Sequence, residues 1–454
     1  MARSQAVHRL GHNANSLSSF RIQESSMIVK AALLAAGDST RMLPLSANMA
    51  KHLLPVAGEP LIFHTLRGLR SAGIRETLVV LGYHGEEMQK VIDSRDWAPM
   101  KISYVFQKER KGTAHAAAHA REFAHNEPII LMYGDVMIGP DTFPGLMTLH
   151  GKGKFDTILS VTPVDDPSPY GVVTVDHDRA TGLIEKPTPE QSNSKLVNAG
   201  IYVAGPKLWD AIDKTGLSPR GEYEITDSIM MMIKQGTVGA YRLPSWWLDV
   251  GKPWDLLKGN QLVLNAAVRK IEGDVENGAV IKGNVIVERG ATIKSGAYIE
   301  GPAFVGSGCV VGPNCYIRAS TSLSHGVRIG NAVEIKNSII MDDTHIGHLS
   351  YVGDSIIGRK SNFGAGTITA NLRHDDQPVR VTVKNQRLSS GLRKMGAVIG
   401  DNVKTGIGTL LSPGVVLHQD ARTGIGVIVD RDIPPGVLVI AEEPKRIIHL
   451  NPEN

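Results

Sequence analysis

The chain has 454 residues, 42% of them hydrophobic, which is enough for two or three domains with sizeable cores. Its 49 basic and 45 acidic residues nearly balance, and no stretch interleaves basic with aromatic residues, so we expect no nucleic-acid partner. No apolar run approaches the roughly 18 residues that a membrane-spanning helix needs. The only cysteines are Cys309 and Cys315. Two buried thiols without a structural bridge favour a reducing, cytoplasmic setting.

Residues 1–26 contain three arginines, six serines and a single acid, without the apolar stretch of a secretory signal. We expect a disordered or non-native extension that ends before Met27. The apolar run at 28–36 then predicts a buried parallel strand, and similar runs follow at 77–81, 102–106, 128–132 and 157–161. Helical patterns between several of them predict an α/β Rossmann-like domain over 27–252, with ligands at the carboxyl ends of its strands.

The turn after the first strand reads GDSTRMLP (37–44) and is followed by Lys51 in AKHLLPV. We call residues 37–51 the signature segment. Backbone amides of such a turn can hold phosphate oxygens, while Arg41 and Lys51 neutralise their charge. The segment lacks the Gly-Lys-Ser/Thr ending of a P-loop.

A helical pattern over 253–271 predicts a linker between two domains. Beyond it, an aliphatic residue recurs at every sixth position from Ile281 to Ile335, with small residues between. The rhythm slips to five near Ile340 and resumes at Ile399. This period fits neither a helix nor a simple strand, and it predicts a hexapeptide-repeat, left-handed parallel β-helix over 272–441. The segment 374–394 breaks the rhythm and reads as an excursion, and 442–454 reads as a tail.

The string LAAGDSTRMLPLSANMAKHLLPVAGEPLI resembles the signature of sugar-1-phosphate nucleotidylyltransferases. Matching blocks follow in order: GTAHA (112–116), EKP (185–187), NAGIYV (198–203), GEYEITD (221–227) and WLDVGK (247–252). The resemblance implies catalytic Arg41 and Lys51 and an Mg²⁺ site at Asp135 and Asp249. It also implies nucleotide contacts at Ala36, Gly37, Gln107, Gly112 and Thr113, and sugar-phosphate contacts at Gly171, Glu185, Lys186 and Asn198.

Two features depart from one simple family pattern. Ser39 stands where the family usually has a second glycine in a tight turn, so nucleotide affinity is expected to differ. GTAHA resembles uridylyl-transferring members, whereas WLDVG resembles thymidylyl-transferring ones. UTP is therefore the expected nucleotide, with dTTP as a second activity.

Residues 314–371 resemble the acetyltransferase half of the bifunctional N-acetylglucosamine-1-phosphate uridyltransferases. The resemblance implies His348 as general base, since an imidazole titrates near working pH. Substrate contacts are implied at Arg318, Lys336, Tyr351, Asn362 and Asn371, and an acetyl-CoA contact at Ala365. Relatives assemble as trimers or dimers of trimers, and Arg380 or Lys384 is a candidate for the basic contact that a neighbouring subunit supplies.

The sequence thus predicts a bifunctional enzyme that acetylates glucosamine-1-phosphate and then joins the product to UMP. Galactosamine-1-phosphate remains open as the amino-sugar. One alternative is a single-activity nucleotidylyltransferase for a glucose- or mannose-type sugar, with a β-helix used only for assembly or regulation. A second alternative is a regulatory subunit without turnover, which only Ser39 favours.

Overall fold

The computed structural model describes residues 28–188 and 190–442, so the predicted extension 1–26 and all but the first residue of the predicted tail 442–454 fall outside the described residues. The strands of the N-terminal half are β1 (Lys30–Ala35), β2 (Pro55–Val56), β3 (Glu59–Pro60), β4 (Glu76–Leu81), β5 (Lys101–Phe106), β6 (Ile129–Tyr133), β7 (Val136–Ile138), β8 (Thr157–Pro163), β9 (Gly171–Asp176), β10 (Arg179–Glu185), β11 (Leu196–Ala204), β12 (Val238–Arg242) and β13 (Trp247–Asp249). The helices are α1 (Leu61–Ser71), α2 (Gly85–Asp93), α3 (Thr113–Ala118), α4 (Arg121–Ala124), α5 (Thr142–Gly151), α6 (Pro206–Asp213), α7 (Ile225–Lys234) and α8 (Pro253–Asn265).

The N-terminal half is built on one mixed sheet in the order β5-β4-β1-β6-β11-β8-β12-β10-β9. The strands β1, β4, β5 and β6 run parallel, and apolar side chains bury β1 on both faces. All five strands predicted from apolar runs are present. Because parallel strands end at the same edge, the residues after β1, β5 and β6 meet there.

The C-terminal half is a left-handed parallel β-helix, as predicted. Its strands are β14 (Lys270–Ile271), β15 (Asp274–Val275), β16 (Val280–Lys282), β17 (Val285–Val287), β18 (Thr292–Ile293), β19 (Tyr298–Glu300), β20 (Ala303–Val305), β21 (Val310–Val311), β22 (Tyr316–Ile317), β23 (Thr321–Leu323), β24 (Arg328–Asn331), β25 (Glu334–Lys336), β26 (Ile339–Ile340), β27 (His345–His348), β28 (Tyr351–Gly353), β29 (Ile356–Ile357), β30 (Asn362–Phe363), β31 (Ile368–Thr369), β32 (Arg380–Val383), β33 (Gln386–Ser389), β34 (Val398–Ile399), β35 (Lys404–Thr405), β36 (Leu410–Leu411), β37 (Val416–Leu417), β38 (Arg422–Thr423), β39 (Ile428–Val429) and β40 (Leu438–Val439).

Successive strands of the β-helix join three parallel sheets in turn. We call β14-β17-β20-β23-β26-β29-β34-β37 the docking sheet, β15-β18-β21-β24-β27-β30-β35-β38-β40 the second sheet, and β16-β19-β22-β25-β28-β31-β36-β39 the third sheet. The predicted six-residue series points inward and forms one continuous core. Cys309 and Cys315 lie in that core, where burial raises the pKa of each thiol to about 12. The prediction of buried thiols is confirmed.

The docking sheet is covered on its outer side as well. Its outward column is in register from Ile286 through Phe304, Ser322, Ile339, Ile356, Val398 and Val416. From Phe304 onward these side chains are buried, and the four aliphatic ones belong to the same cluster as the core of the N-terminal half. The excursion at 374–394 contains the hairpin β32–β33, whose Val379, Val381 and Val383 join this cluster.

Helix α8 connects the halves and is fixed between them by Asn260, which is completely buried. Its amide nitrogen donates to Ser320 O at 2.8 Å, and its amide oxygen accepts from Ala57 N at 2.8 Å and from Ser322 Oγ at 2.6 Å. One side chain thus joins α8 to a turn of the N-terminal half and to a coil of the β-helix. Within 28–188 and 190–442 each helix is too short or too polar to cross a bilayer.

Candidate active sites

The signature segment begins at Gly37, just beyond the carboxyl end of β1 and after Ala36. Ser39 adopts a left-handed conformation with φ 59°, which confirms the tight turn at this position. Its hydroxyl accepts a hydrogen bond from Lys51 N at 3.1 Å, and its carbonyl accepts one from Ser46 Oγ at 2.8 Å. The serine therefore forms a bond to the Lys51 backbone that a glycine has no side chain to make.

Two predicted carboxylates lie side by side beyond the segment. Asp135 follows β6, and Asp249 ends β13, which pairs antiparallel with β7 so that Val250 N donates to Asp135 O at 3.0 Å. Lys51 Nζ forms an ion pair with Asp135 Oδ2. A Cβ atom added to Gly251 would lie 3.4 Å from Asp249 Oδ2 and 3.6 Å from Arg41 Nη1, so these groups border the same small space.

The ionisation of these carboxyls shows how closely they interact. Burial and then the Asp135 charge raise the pKa of Asp249 to about 6. Burial also opposes charge on Asp135, but the charges of Lys51, His52 and Arg41 and the hydrogen bond from Lys51 together lower the pKa of that carboxyl. Like charges crowded in a buried place are the situation that a divalent cation relieves, and carboxylate oxygens are ligands that Mg²⁺ accepts. The donor set therefore fits Mg²⁺.

Sequence reasoning missed Asp255 at this site. Its carboxylate caps α8, accepting from Lys252 N at 2.8 Å and Gly251 N at 3.1 Å. Burial and then the Asp249 charge raise its pKa to about 7. The signal was an aspartate three residues after the cap position of a predicted helix, a pattern that satisfies free backbone N–H groups.

The residues assigned to the nucleotide lie at the same edge of the sheet. Gln107 follows β5, is buried, and lies 2.7 Å from His115 Nδ1 through Nε2. Gly112 has φ +107°, and a Cβ there would lie 2.4 Å from Tyr223 O, so this position accepts only glycine. Thr113 Oγ1 accepts from Ile225 N at 3.0 Å and ties the start of α3 to α7.

The residues assigned to the sugar phosphate lie on β9, β10 and β11. Glu185 pairs with Gly171 across β9–β10, and burial raises its pKa. Arg220 was not anticipated: its Nη2 lies 3.3 Å from Glu185 Oε1. Lys186 has φ 48°, and Asn198 donates to Tyr202 Oη at 2.7 Å. These contacts hold Glu185 and Asn198 in defined orientations.

A groove of about 510 Å³ on the β-helix brings together three of the residues predicted for acetyl transfer. His348 ends β27 on the second sheet and is exposed, Asn362 lies one coil further in β30, and Ala365 lies in the following corner. Phe363 and Ile407 add apolar lining. The histidine is thus open to a substrate in the groove.

The other four residues predicted for acetyl transfer lie around the next corner, on or beside the third sheet. Tyr351 Oη accepts from Asn371 Nδ2 at 3.1 Å, and Lys336 Nζ lies 3.4 Å from Asp354 Oδ2. Arg318 Nη1 donates to Glu334 Oε1 at 2.9 Å. Asp354, which sequence reasoning missed, is buried and also accepts from Asn371 Nδ2, so it orients a cation and an amide together.

Comparisons with known proteins cover both halves. A model of the family described as nucleotidyl transferase matches residues 30–266, and one described as GMPPB C-terminal domain matches residues 299–423. Bifunctional protein GlmU of Methanococcus maripaludis is 41% identical over 404 residues, which cover 89% of this chain and 95% of that protein. The bifunctional sugar-1-phosphate nucleotidylyltransferase/acetyltransferase of Sulfurisphaera tokodaii is 40% identical over 90% of this chain and 99% of its own. The chain belongs to this bifunctional family.

Membership of the bifunctional sugar-1-phosphate nucleotidylyltransferase/acetyltransferase family confirms the predicted type of enzyme. The low-salt glycan biosynthesis nucleotidyltransferase Agl11 of Haloferax volcanii is also similar, at 36% identity over 74% of this chain and 94% of that protein. Because the relatives named as bifunctional match both halves, the single-activity and regulatory alternatives lose their support.

Proposed function

We propose that the chain uses acetyl-CoA to acetylate glucosamine-1-phosphate and then transfers UMP from UTP to the product, releasing UDP-N-acetylglucosamine and pyrophosphate. The observation that carries this proposal is the presence of two separate sites on one chain. Paired aspartates with Arg41 and Lys51 form one, and a groove with an exposed His348 forms the other.

In the nucleotidyl transfer, an oxygen of the sugar-1-phosphate attacks the α-phosphorus of UTP, and the bond to the leaving pyrophosphate breaks. Such transfers depend on positioning and on neutralising charge. Arg41 and Lys51 supply positive charge beside the two aspartates. Asp135 and Asp249 would hold Mg²⁺, which supplies charge neutralisation at the phosphate oxygens.

The proposed nucleotide is UTP, with dTTP as a second activity. The GTAHA block at Gly112 favours uridine, whereas the aspartate in WLDVG matches thymidylyl-transferring enzymes. The measurement that decides between them is the ratio of kcat/KM for UTP and dTTP with N-acetylglucosamine-1-phosphate. A ratio in favour of dTTP would contradict this assignment and leave the acetyl transfer untouched.

In the acetyl transfer, the sugar amine attacks the thioester carbonyl, the carbon–sulfur bond breaks, and the coenzyme A thiolate leaves and takes a proton. His348 accepts the proton that the amine loses. Arg318 and Lys336 provide charge-assisted contacts for the sugar phosphate, and Tyr351 and Asn371 orient the substrate. Ala365, at the end of the groove, contacts acetyl-CoA.

We also propose a homotrimer, alone or as a dimer of trimers, in the cytoplasm. Exposed aliphatic side chains on the last coils support assembly through the β-helix: Ile407, Leu410, Ile425, Ile428, Leu438 and Ile440. Apolar patches of this kind mark interaction surfaces. Light scattering of the purified chain tests the assembly, and a monomer at micromolar concentration would contradict it.

The test of the proposed function is thiol release from acetyl-CoA in the presence of glucosamine-1-phosphate. The wild type is expected to release thiol, and His348→Ala to lose about 100-fold or more, the usual contribution of a general base. The matched control is His325→Ala, which replaces a corner histidine that contacts Ser307 at 3.1 Å and lies outside the groove lining. Absence of release with both glucosamine- and galactosamine-1-phosphate would refute the acetyltransferase assignment.

A further inference from the structure

The signature segment touches the β-helix as well as its own domain. Pro44 is buried against Gly400, where an added Cβ would come within 3.0 Å of the proline Cβ. Four residues later, Asn48 Nδ2 donates to Asp401 Oδ2 at 3.3 Å. Both contacts are made with one corner of the β-helix, the turn after β34. They lie between Arg41 and Lys51, the two cations of the nucleotidyl site.

The corner is rigid on the β-helix side. Arg359, one coil earlier, donates two hydrogen bonds to Asp401 Oδ2, from Nη2 at 2.7 Å and from Nε at 3.1 Å. Its backbone N–H donates to Asp401 Oδ1 at 2.8 Å. A carboxylate whose two oxygens are already fixed by three hydrogen bonds from one residue loses little conformational freedom when it also accepts from Asn48. It is therefore suited to hold a loop in place.

The excursion also places a positive charge near the start of the segment. Burial disfavours charge on Asp38, but hydrogen bonds from Thr40 and the charges of Lys384 and Arg110 lower the pKa of its carboxyl. Lys384 sits in the two-residue turn of the hairpin β32–β33, where it and Asn385 both have positive φ. The corner thus contacts the segment at residues 44 and 48, and the charge of the hairpin lysine acts on residue 38.

We propose that the Asp401 corner of the β-helix is a positioning element of the nucleotidyl site, acting through Asn48 on the segment that presents Arg41 and Lys51. The inference rests on the proposed nucleotidyl transfer at this site. It assigns to the β-helix a task separate from acetyl transfer. Asp401 and Arg359 are positioning residues, since neither contacts the paired aspartates.

The test compares Asp401→Ala and Asn48→Ala in the full chain, with UTP and N-acetylglucosamine-1-phosphate as substrates. Each variant is expected to raise the KM for UTP about fivefold, the lower end of typical coupling between sites, with a smaller change in kcat and unchanged thiol release from acetyl-CoA. The double variant is expected to be no worse than Asp401→Ala alone, because both remove one contact. Asp401→Asn keeps an acceptor for Asn48 and is expected to recover part of the loss.

The matched control is Asp420→Ala, a corner aspartate one coil further along that bonds Asn402 instead of the N-terminal half. It is expected to leave the KM for UTP unchanged. Unchanged KM in Asp401→Ala and Asn48→Ala, or equal losses in Asp420→Ala, would overturn the inference while a working wild type upholds the proposed function. A wild type without nucleotidyl transfer would instead refute the proposed function itself.

Discussion

Replacing Asn260 by alanine tests whether the two halves are held together at α8. The change removes an amide that makes three hydrogen bonds of 2.6 to 2.8 Å in a fully buried place. It leaves the Ala57 N–H and the Ser320 carbonyl without partners, at about 1–3 kcal/mol each, while the Ser322 hydroxyl can turn to another acceptor. With the small cavity left behind, we expect a loss of about 3–6 kcal/mol in the free energy of unfolding.

The assay is urea unfolding followed by the fluorescence of the five tryptophans, among them Trp254, a buried residue of α8, together with both enzyme activities. In the wild type the two activities are expected to disappear with one transition, and in Asn260→Ala the nucleotidyl transfer is expected to fail at lower urea than the acetyl transfer. The control is Asn265→Ala, which changes an exposed asparagine at the end of the same helix and is expected to cost less than about 0.5 kcal/mol. An Asn260→Ala chain as stable as this control would refute the reasoning.

Three further predictions concern the nucleotidyl site. Ser39→Ala and Ser39→Gly both lose the hydrogen bond to Lys51, but alanine is strained at φ 59° whereas glycine is not. We therefore expect Ser39→Ala to be about 1–2 kcal/mol less stable than Ser39→Gly by urea unfolding, and equal stabilities would contradict this. Burial and the Lys51 charge lower the pKa of His52 to about 3. As the pH falls, this histidine therefore takes up a proton in the unfolded chain before it does so in the folded chain. Below about pH 6.5 this histidine alone is expected to lower the free energy of unfolding by up to about 1.4 kcal/mol per pH unit. His52→Gln is expected to remove that contribution from the unfolding curves, while the contributions of His64 and His115, whose pKa values are also lowered, remain. Gly112→Ala drives a Cβ into Tyr223 O and is expected to raise the KM for UTP about tenfold with acetyl transfer unchanged.

The sequence was informative where one local pattern decides the structure. The inward column of the β-helix needs an aliphatic residue at every sixth position, and side chains such as Ile293 and Ile335 are completely buried as that pattern requires. The ends of parallel strands are likewise predictable, because an apolar run that stops at Gly37 has nowhere else to place its next residues than the sheet edge. The roles assigned to individual site residues stay predictions, which the variants above address.

The contacts that complete the sites were beyond sequence reasoning, because they join residues far apart in the chain. Asp354 becomes a partner of Lys336 and Asn371 only through the stacking of coils. Asp255 gains its raised pKa from burial and then from the charge of Asp249, and the fold supplies both. The excursion at 374–394 is predictable because it interrupts the six-residue repeat. The interruption alone does not indicate which surface the excursion covers.

The covered surface could nevertheless be predicted from the sequence. It follows from a second series of residues, the outward-pointing positions of the docking sheet, which lie next to the inward series. Every third strand belongs to the docking sheet, and the residue before its inward aliphatic is apolar at Phe304, Ile339, Ile356, Val398 and Val416, with Ser322 between the first two. The equivalent outward positions of the second sheet are polar over five successive strands: Arg328, His345, Asn362, Lys404 and Arg422. The first three of these line the groove. Apolar side chains that point outward on successive coils would expose unfavourable apolar surface to water unless another part of the protein covers them. Polar side chains at the same positions can stay exposed and contact substrates. Comparing the outward positions of each sheet of a β-helix therefore distinguishes the sheet that packs on another domain from the sheet that is open to substrates. In this chain the docking sheet leads into the Asp401 corner, which contacts the signature segment.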